Sequence, residues 1–289
     1  MKAKYVSTLL GLLLFTGLFC CLPAQANGGN PLSKATLSKL KNVIDKAPFR
    51  CALGVAVIKN GKYSSCTLGD AGIFPTASII KVAILMELFD QFKDGTLQPD
   101  AYFTLKESDI VEGGILCECG VERKFTLREM ARLMIIVSDN TAANVLLKCV
   151  GMDNVNARLR SLGLKNTVMR RSFMADASQH GENTTTCAEF LKVMRAFDTF
   201  NTPQDKWYQE AMNYLHNQFF IEKIPADLPP NAWVANKTGE LEGVRHDVAI
   251  IVKGKTRMHL VALTADVENS WVADRTIAKL ARICYNALP

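Results

Sequence analysis

Strand-forming sequence is confined to the two ends of this chain, and helical sequence fills the space between. At one end, "CALGVAVIKNGKYSSCTLG" (51–69) is a pair of apolar, β-branched runs that turn at Asn60-Gly61, a dipeptide suited to a tight hairpin. At the other, "WVANKTG", "HDVAIIVK" and "RMHLVALTAD" are three more strand-like runs, the last two joined at Gly254. Strands this far apart in sequence share a sheet only if the middle of the chain is carried as a separate layer. The expected fold is α+β: an antiparallel sheet formed by both chain ends with an inserted all-helical lobe. Residues 27–289 then make one domain, with an α/β lobe from 27–75 and 226–289 and a helical lobe from 76–225.

The helical signals are specific. Leu37, Leu40, Val43 and Ile44 share one face of a helix over Ser33–Ala47. Thr76 is the expected N-cap of a helix through Asp94, stopped by Gly95; Thr126-x-x-Glu129 and Thr186-x-x-Glu189 read as capping boxes; a helix from about Thr141 stops at Gly151. "WVADRTIAKLARICYNAL" closes the chain as an amphipathic helix.

Lys2 and Lys4 precede an uncharged stretch ending in Ala24-Gln25-Ala26, the pattern of a signal peptide over residues 1–26 cleaved after Ala26. The mature chain is then periplasmic or secreted, with no membrane contact after cleavage. The full chain carries a net charge of +6, of which Lys2 and Lys4 leave with the leader. No basic run or aromatic-interleaved patch accompanies it, so no nucleic acid is expected as a partner. Seven cysteines remain, at 51, 66, 117, 119, 149, 187 and 284, an odd number that leaves at least one unpaired. Cys117-Glu118-Cys119 has the wrong spacing for a zinc half-site, and His180, His216, His246 and His259 stand at no paired ligand spacing, so no metal is expected.

From Ala71 to Met86 the only charged side chain is Lys81, one helical turn after Ser78. Burial disfavours the ammonium and lowers its pKa, which lets a lysine act as a base toward a serine. Ser78 in the first helical turn would also have free N–H groups nearby for a developing oxyanion. The pattern S-x-x-K is weak alone, because Ser38-x-x-Lys41 matches it in an ordinary amphipathic helix. Two further motifs give it weight: Ser138-Asp139-Asn140 at the turn after an apolar helix, and Lys237-Thr238-Gly239 at the end of a strand. Each has a plain structural explanation, and their order and contexts together point to one site.

On these three motifs, and across essentially the whole mature chain, the sequence resembles the class A β-lactamases and the wider family of penicillin-recognising serine enzymes. The resemblance implies two lobes with the active site between them and no cofactor. It implies Ser78 as the acylated nucleophile, Lys81 as its base or proton relay, and Ser138 as the donor to the leaving nitrogen. Asn140 would bond the substrate's side-chain amide, Lys237 and Thr238 would hold its carboxylate, and the N–H groups of Ser78 and Glu240, the residue after Gly239, would form the oxyanion hole. The partner is then a small-molecule β-lactam or a cell-wall peptide, bound by a monomer.

One departure divides the expectation. Enzymes of this type release the acyl group with an E-x-x-L-N motif on a loop after the second motif, and here that stretch is "MRRSFMADASQHGENTTT". Arg170, Arg171 and "ENTTT" mark the borders of a shortened loop. Asp176 is the only carboxylate between Arg170 and Gly181 and is the candidate for positioning the hydrolytic water; the alternatives are a solvated loop acid or a partner for Arg170 or Arg171. The leading expectation is a serine β-lactamase acting through an acyl-enzyme. A D-alanyl-D-alanine peptidase or slow penicillin binder is the alternative, and a non-catalytic wall-peptide binder a third.

Overall fold

The structure is a computed structural model that describes residues 29–199 and 205–289; the leader expected over 1–26 lies outside them. Helix α1 (Lys34–Asp45), capped by the Ser33 hydroxyl, leads into the hairpin of β1 (Arg50–Lys59) and β2 (Lys62–Gly69). Asn60 and Gly61 turn it with φ of 50° and 73°, a backbone whose twist matches that of the strands. A two-residue strand β3 (Phe74–Pro75) then passes through a short 3₁₀ turn, Ala77–Ile80, into α2 (Lys81–Lys93).

The helical lobe follows. A small hairpin of β4 (Tyr102–Thr104) and β5 (Lys124–Thr126) precedes α3 (Leu127–Ile136), α4 (Asn140–Val150) and α5 (Met152–Ser161). After α6 (Ala177–His180), β6 (Thr184–Thr185) pairs back onto β3, and α7 (Cys187–Thr199) and α8 (Lys206–His216) complete the lobe. The chain returns as β7 (Trp233–Leu241), β8 (Val244–Lys253), β9 (Thr256–Ala265) and α9 (Ser270–Ala287).

Both chain ends therefore build one five-stranded antiparallel sheet in the order β2-β1-β9-β8-β7, as the strand pattern requires. Leu53, Val55 and Val57 of β1 pack with α1 and α9, whereas Ala52 and Ala56 belong to the core shared with the helical lobe. Coverage on both faces is why this strand reads as an unbroken apolar run rather than an alternating one. Helix α2 crosses the second core with Val82, Ala83, Ile84, Leu85 and Leu88 wholly buried. Its unbroken apolar run from Val82 to Met86 belongs inside, with Glu87, Asp90 and Lys93 on its less buried side, and each large buried side chain stabilises by about 1.5–3 kcal/mol. Among the described residues no helix is long and apolar enough to cross a membrane.

Two expected caps differ. Thr126 and Glu129 form a full capping box, but Thr186 and Glu189 form half of one. The Glu189 carboxylate turns away to the N–H groups of Lys165, Asn166 and Thr167, three donors in place of one. Thr76 is not a helix cap at all. It has helical backbone angles of −78° and −23°, and its hydroxyl is buried without a partner among the described residues. The cause is Ala77, whose φ of 45° interrupts the helix before Ser78.

Candidate active site

The residues of the three motifs converge where β7, the edge strand of the sheet, meets the start of α2 and the α3–α4 turn. Ser78 is half-buried in the 3₁₀ turn, one residue after Ala77. A non-glycine residue in the left-handed region costs on the order of 1–3 kcal/mol and persists only where its surroundings over-determine it. They do so here. Thr76 N–H bonds the Asn183 carbonyl at 2.8 Å, and a Cβ added at Gly239 would lie 3.1–3.2 Å from Ile79 and Ala77. Gly239 thus lets the third motif lie directly on the nucleophile's turn.

Lys81 is fully buried, and its Nζ donates to the Ser138 carbonyl at 2.7 Å and Asn140 Oδ1 at 2.7 Å, with Ser138 Oγ at 3.3 Å. The helical spacing predicts the amine beside the Ser78 hydroxyl. Among the described residues no hydrogen bond reaches Ser78 Oγ; the flexible lysine stem takes the stronger carbonyl acceptors instead. Burial first, and then the nearby Lys237 charge, hold Lys81 well below the ordinary lysine value, while Asp139 pulls the other way.

Ser138 lies at φ 56°, a second strained non-glycine residue, with its Oγ between two amines. Lys237 Nζ approaches it at 2.9 Å and also donates to the Thr238 carbonyl at 2.9 Å. Lys237 is buried too, and desolvation pushes it down to about 7. The turn is locked from below by Asp139, which caps α4 through Ala142 N–H and accepts the Ile115 and Leu116 N–H groups, all at 2.8 Å. Asn140 donates to the Glu112 carbonyl at 2.9 Å, which occupies one of its two side-chain N–H donors. A Cβ at Gly114 would stand 2.2 Å from Asp139 Oδ2, so this close seat needs a glycine, which also suits its φ of 110°. The segment 112–116 carries no motif, and the sequence reading missed it; two consecutive glycines were its only signal.

The strand side holds a second set of groups without a sequence signal. Thr238 is buried, and directly across the sheet from it Asp247 accepts bonds from Asn236 at 3.1 Å and Ile224 N–H at 3.0 Å. Burial pushes its carboxyl up to about 7. The Glu240 side chain pairs with buried Lys223 at 2.5 Å and with Arg245 at 2.6 Å, and Arg245 grips Asp274 at 2.8 Å. Arg245 faces Glu240 in the hairpin register, which makes it the one member readable from a cross-strand pair.

The 170–184 loop is closed at its borders. Arg171 pairs with Glu182 at 2.8 Å and holds the Ala175 carbonyl at 3.0 Å; Arg170 holds the Glu182 carbonyl at 2.8 Å. Asp176 is not among the groups brought to Lys81. It caps α6, accepting Ser178 N–H and Oγ–H at 2.8 Å and Gln179 at 3.3 Å, and these bonds hold its exposed carboxyl below the usual carboxylate range. The residue the loop presents to the site is Phe173. Its backbone N–H and C=O are both taken by the Asn144 amide, at 2.8 and 3.0 Å, and its buried ring lies with its centroid 4.5 Å from Lys81 Nζ.

Comparison with known proteins agrees with this fold. A family model described as "Beta-lactamase enzyme family" matches residues 36–288. A beta-lactamase of Bacillus licheniformis is 27% identical over 293 residues, covering 96% of this chain and 93% of that protein. Among solved structures, a mutant of PBP-A, an acyl-enzyme complex with penicillin G, superposes with a TM-score of 0.77 at 23% identity over 88% of this chain and 96% of that one. An ancestral class A β-lactamase, GNCA, gives a TM-score of 0.79 at 24% identity over 88% of this chain and 100% of that one.

Proposed function

The chain belongs to the beta-lactamase enzyme family, and we propose that it is a serine hydrolase in which Ser78 opens the β-lactam amide and keeps the acyl group as a long-lived ester. The observation that carries the first half is Ser138 Oγ held between two buried amines, Lys81 at 3.3 Å and Lys237 at 2.9 Å, beside the turn that bears Ser78.

In this reading Ser78 Oγ attacks the carbonyl carbon and its proton passes to Lys81, whose amine burial holds well below the ordinary lysine value and so favours as a proton acceptor. The carbonyl electrons move onto oxygen, where the Ser78 and Glu240 N–H groups stabilise them, a donor of this kind being worth about 10²–10³ in rate. The C–N bond then breaks as the proton travels from Lys81 through Ser138 Oγ to the departing nitrogen. Lys237 orients Ser138 and, with Thr238, holds the substrate carboxylate; the second Asn140 N–H is available to the substrate amide.

The second half rests on Phe173. Releasing the ester needs a base beside the bound water, and the group packed on Lys81 is an aromatic ring. Asp176 spends its oxygens on a helix cap. A rapidly turning-over β-lactamase is the second reading, favoured by the Bacillus licheniformis relative that spans nearly the whole chain. A D-alanyl wall peptide would be attacked by the same groups, and export through the 1–26 leader belongs to either reading. Ser78→Ala tests the assignment: covalent labelling by penicillin, read by intact mass, should vanish, and labelling that survives would mean another nucleophile.

A further inference from the structure

His246 is buried on β8 and takes no part in the chemistry above, yet it contacts the segment that carries the nucleophile. It lies directly across the sheet from Gly239, so its imidazole projects on the face where Gly239 has no side chain and where the Ala77–Ile79 backbone packs. The Thr264 N–H donates to Nδ1 at 3.1 Å, which obliges Nε2 to carry the ring proton, and Nε2–H donates to the Pro75 carbonyl at 2.7 Å. Phe74 stands edge-on to the ring at 6.2 Å. Burial pushes His246 down to about 4, so the single tautomer is the form present at neutral pH.

Pro75 begins the strained turn. The β3–β6 pairing and the Thr76–Asn183 bond hold this segment from the helical-lobe side; from the sheet, Gly239 packs against the turn, Arg50 holds the Ile73 carbonyl at 3.1 Å, and His246 supplies the bond to the Pro75 carbonyl itself. The two N–H groups of the oxyanion hole belong to these two sides: Ser78 to the turn, Glu240 to β7 next to Gly239. We propose that His246 is a positioning residue for the oxyanion hole, its Nε2–H bond to the Pro75 carbonyl drawing the turn against the sheet and setting the Ser78 N–H in register with that of Glu240. The inference rests on the acylation reading above and adds to it the residue that aligns the two halves of the hole.

The test compares His246→Gln with His246→Asn. Glutamine carries its N–H₂ to about the position of Nε2 and reaches Pro75; asparagine ends near Nδ1 and serves Thr264 alone. With a chromogenic cephalosporin, His246→Gln should acylate within about threefold of the wild type, while His246→Asn should lose about 10²-fold in the saturating acylation rate, as a displaced donor does. The half-saturating concentration and melting temperature should match between the two variants. Equal rates for His246→Asn and the wild type, or a Gln variant as slow as the Asn one, would overturn the proposal. Histidine ¹⁵N NMR of the unmutated protein needs no variant to fold: a protonated Nε2 supports the contact and a protonated Nδ1 refutes it. Wild-type acylation is the internal reference, since its absence would sink the reading of the site, whereas its presence beside an unaffected Asn variant would sink this inference alone.

Discussion

The candidate acylating centre and the 170–184 loop lie against each other through Phe173 and Lys81, and they are built in opposite ways. In the centre, the two lysines and Asp139 are buried, and the polar groups around Ser78 bond one another or lock the turn beneath them: Lys81 to Ser138 and Asn140, Lys237 to Ser138, Asp139 to the Ile115 and Leu116 backbone. In the loop, the charged groups face outward or bond the loop itself, Arg171 to Glu182 and Asp176 to Ser178, and the inward residue is a phenyl ring. Forming the acyl-enzyme and releasing it are therefore separate structural problems. In the proposed reading the first is met by two buried amines around Ser138, and for the second the loop offers Lys81 a phenyl ring rather than a carboxylate.

The largest way to break this contrast is to place a carboxylate on the loop's inward face. Phe173→Glu should speed acyl release by about 10²–10⁴, the range for a positioned acid or base, measured as decay of the adduct mass after rapid mixing. Release that stays as slow as in the parent would mean that Phe173 does not occupy the place where the hydrolytic water must sit.

A smaller effect concerns the charge inside the centre. Burial brings Lys237 to about 7, so the cation proposed to hold the substrate carboxylate is present below that pH and lost above it. The second-order rate constant for acylation should fall as pH rises through about 7, and Lys237→Arg should carry the fall to far higher pH because a guanidinium keeps its charge. A descending limb that persists in the arginine variant would assign it to another group. The same shift has a sign for stability. Between about 7 and the ordinary 10.5 the unfolded chain holds a proton that the folded one lacks, so this group's contribution to stability rises with pH across that window.

The smallest expected effect is the most diagnostic of the loop. Asp176→Asn should leave both acylation and acyl release within about twofold, because the carboxylate serves its own helix cap. Slowed release with unchanged acylation would instead restore Asp176 as the residue that activates water.

What the sequence disclosed follows the same division. Strands covered on both faces and a helix with an unbroken apolar run leave long, unmistakable signals, so β1, β7–β9 and α2 were legible, as was the meeting of the three motif segments at one place in the fold. The box at Thr126 and Glu129 was legible because both its partners are local. Glu189 was not, since its three backbone partners lie more than twenty residues away. Thr76 was misassigned because the groups that over-determine the turn at Ala77, the Asn183 carbonyl and Gly239, are not near in sequence. Phe173 escaped for a related reason: a shortened loop without its expected motif offers no register, and only the Asn144 bonds to its backbone show which residue faces Lys81.

This centre is proposed to acylate readily and to release slowly. Its most direct test mixes residues 27–289 with one to ten equivalents of penicillin or a chromogenic cephalosporin and follows colour and protein mass together. A burst of about one equivalent is expected, with a persistent mass increase lost in Ser78→Ala, as when acyl formation outpaces hydrolysis. Sustained colour far beyond one equivalent, with the protein found unmodified throughout, would contradict it.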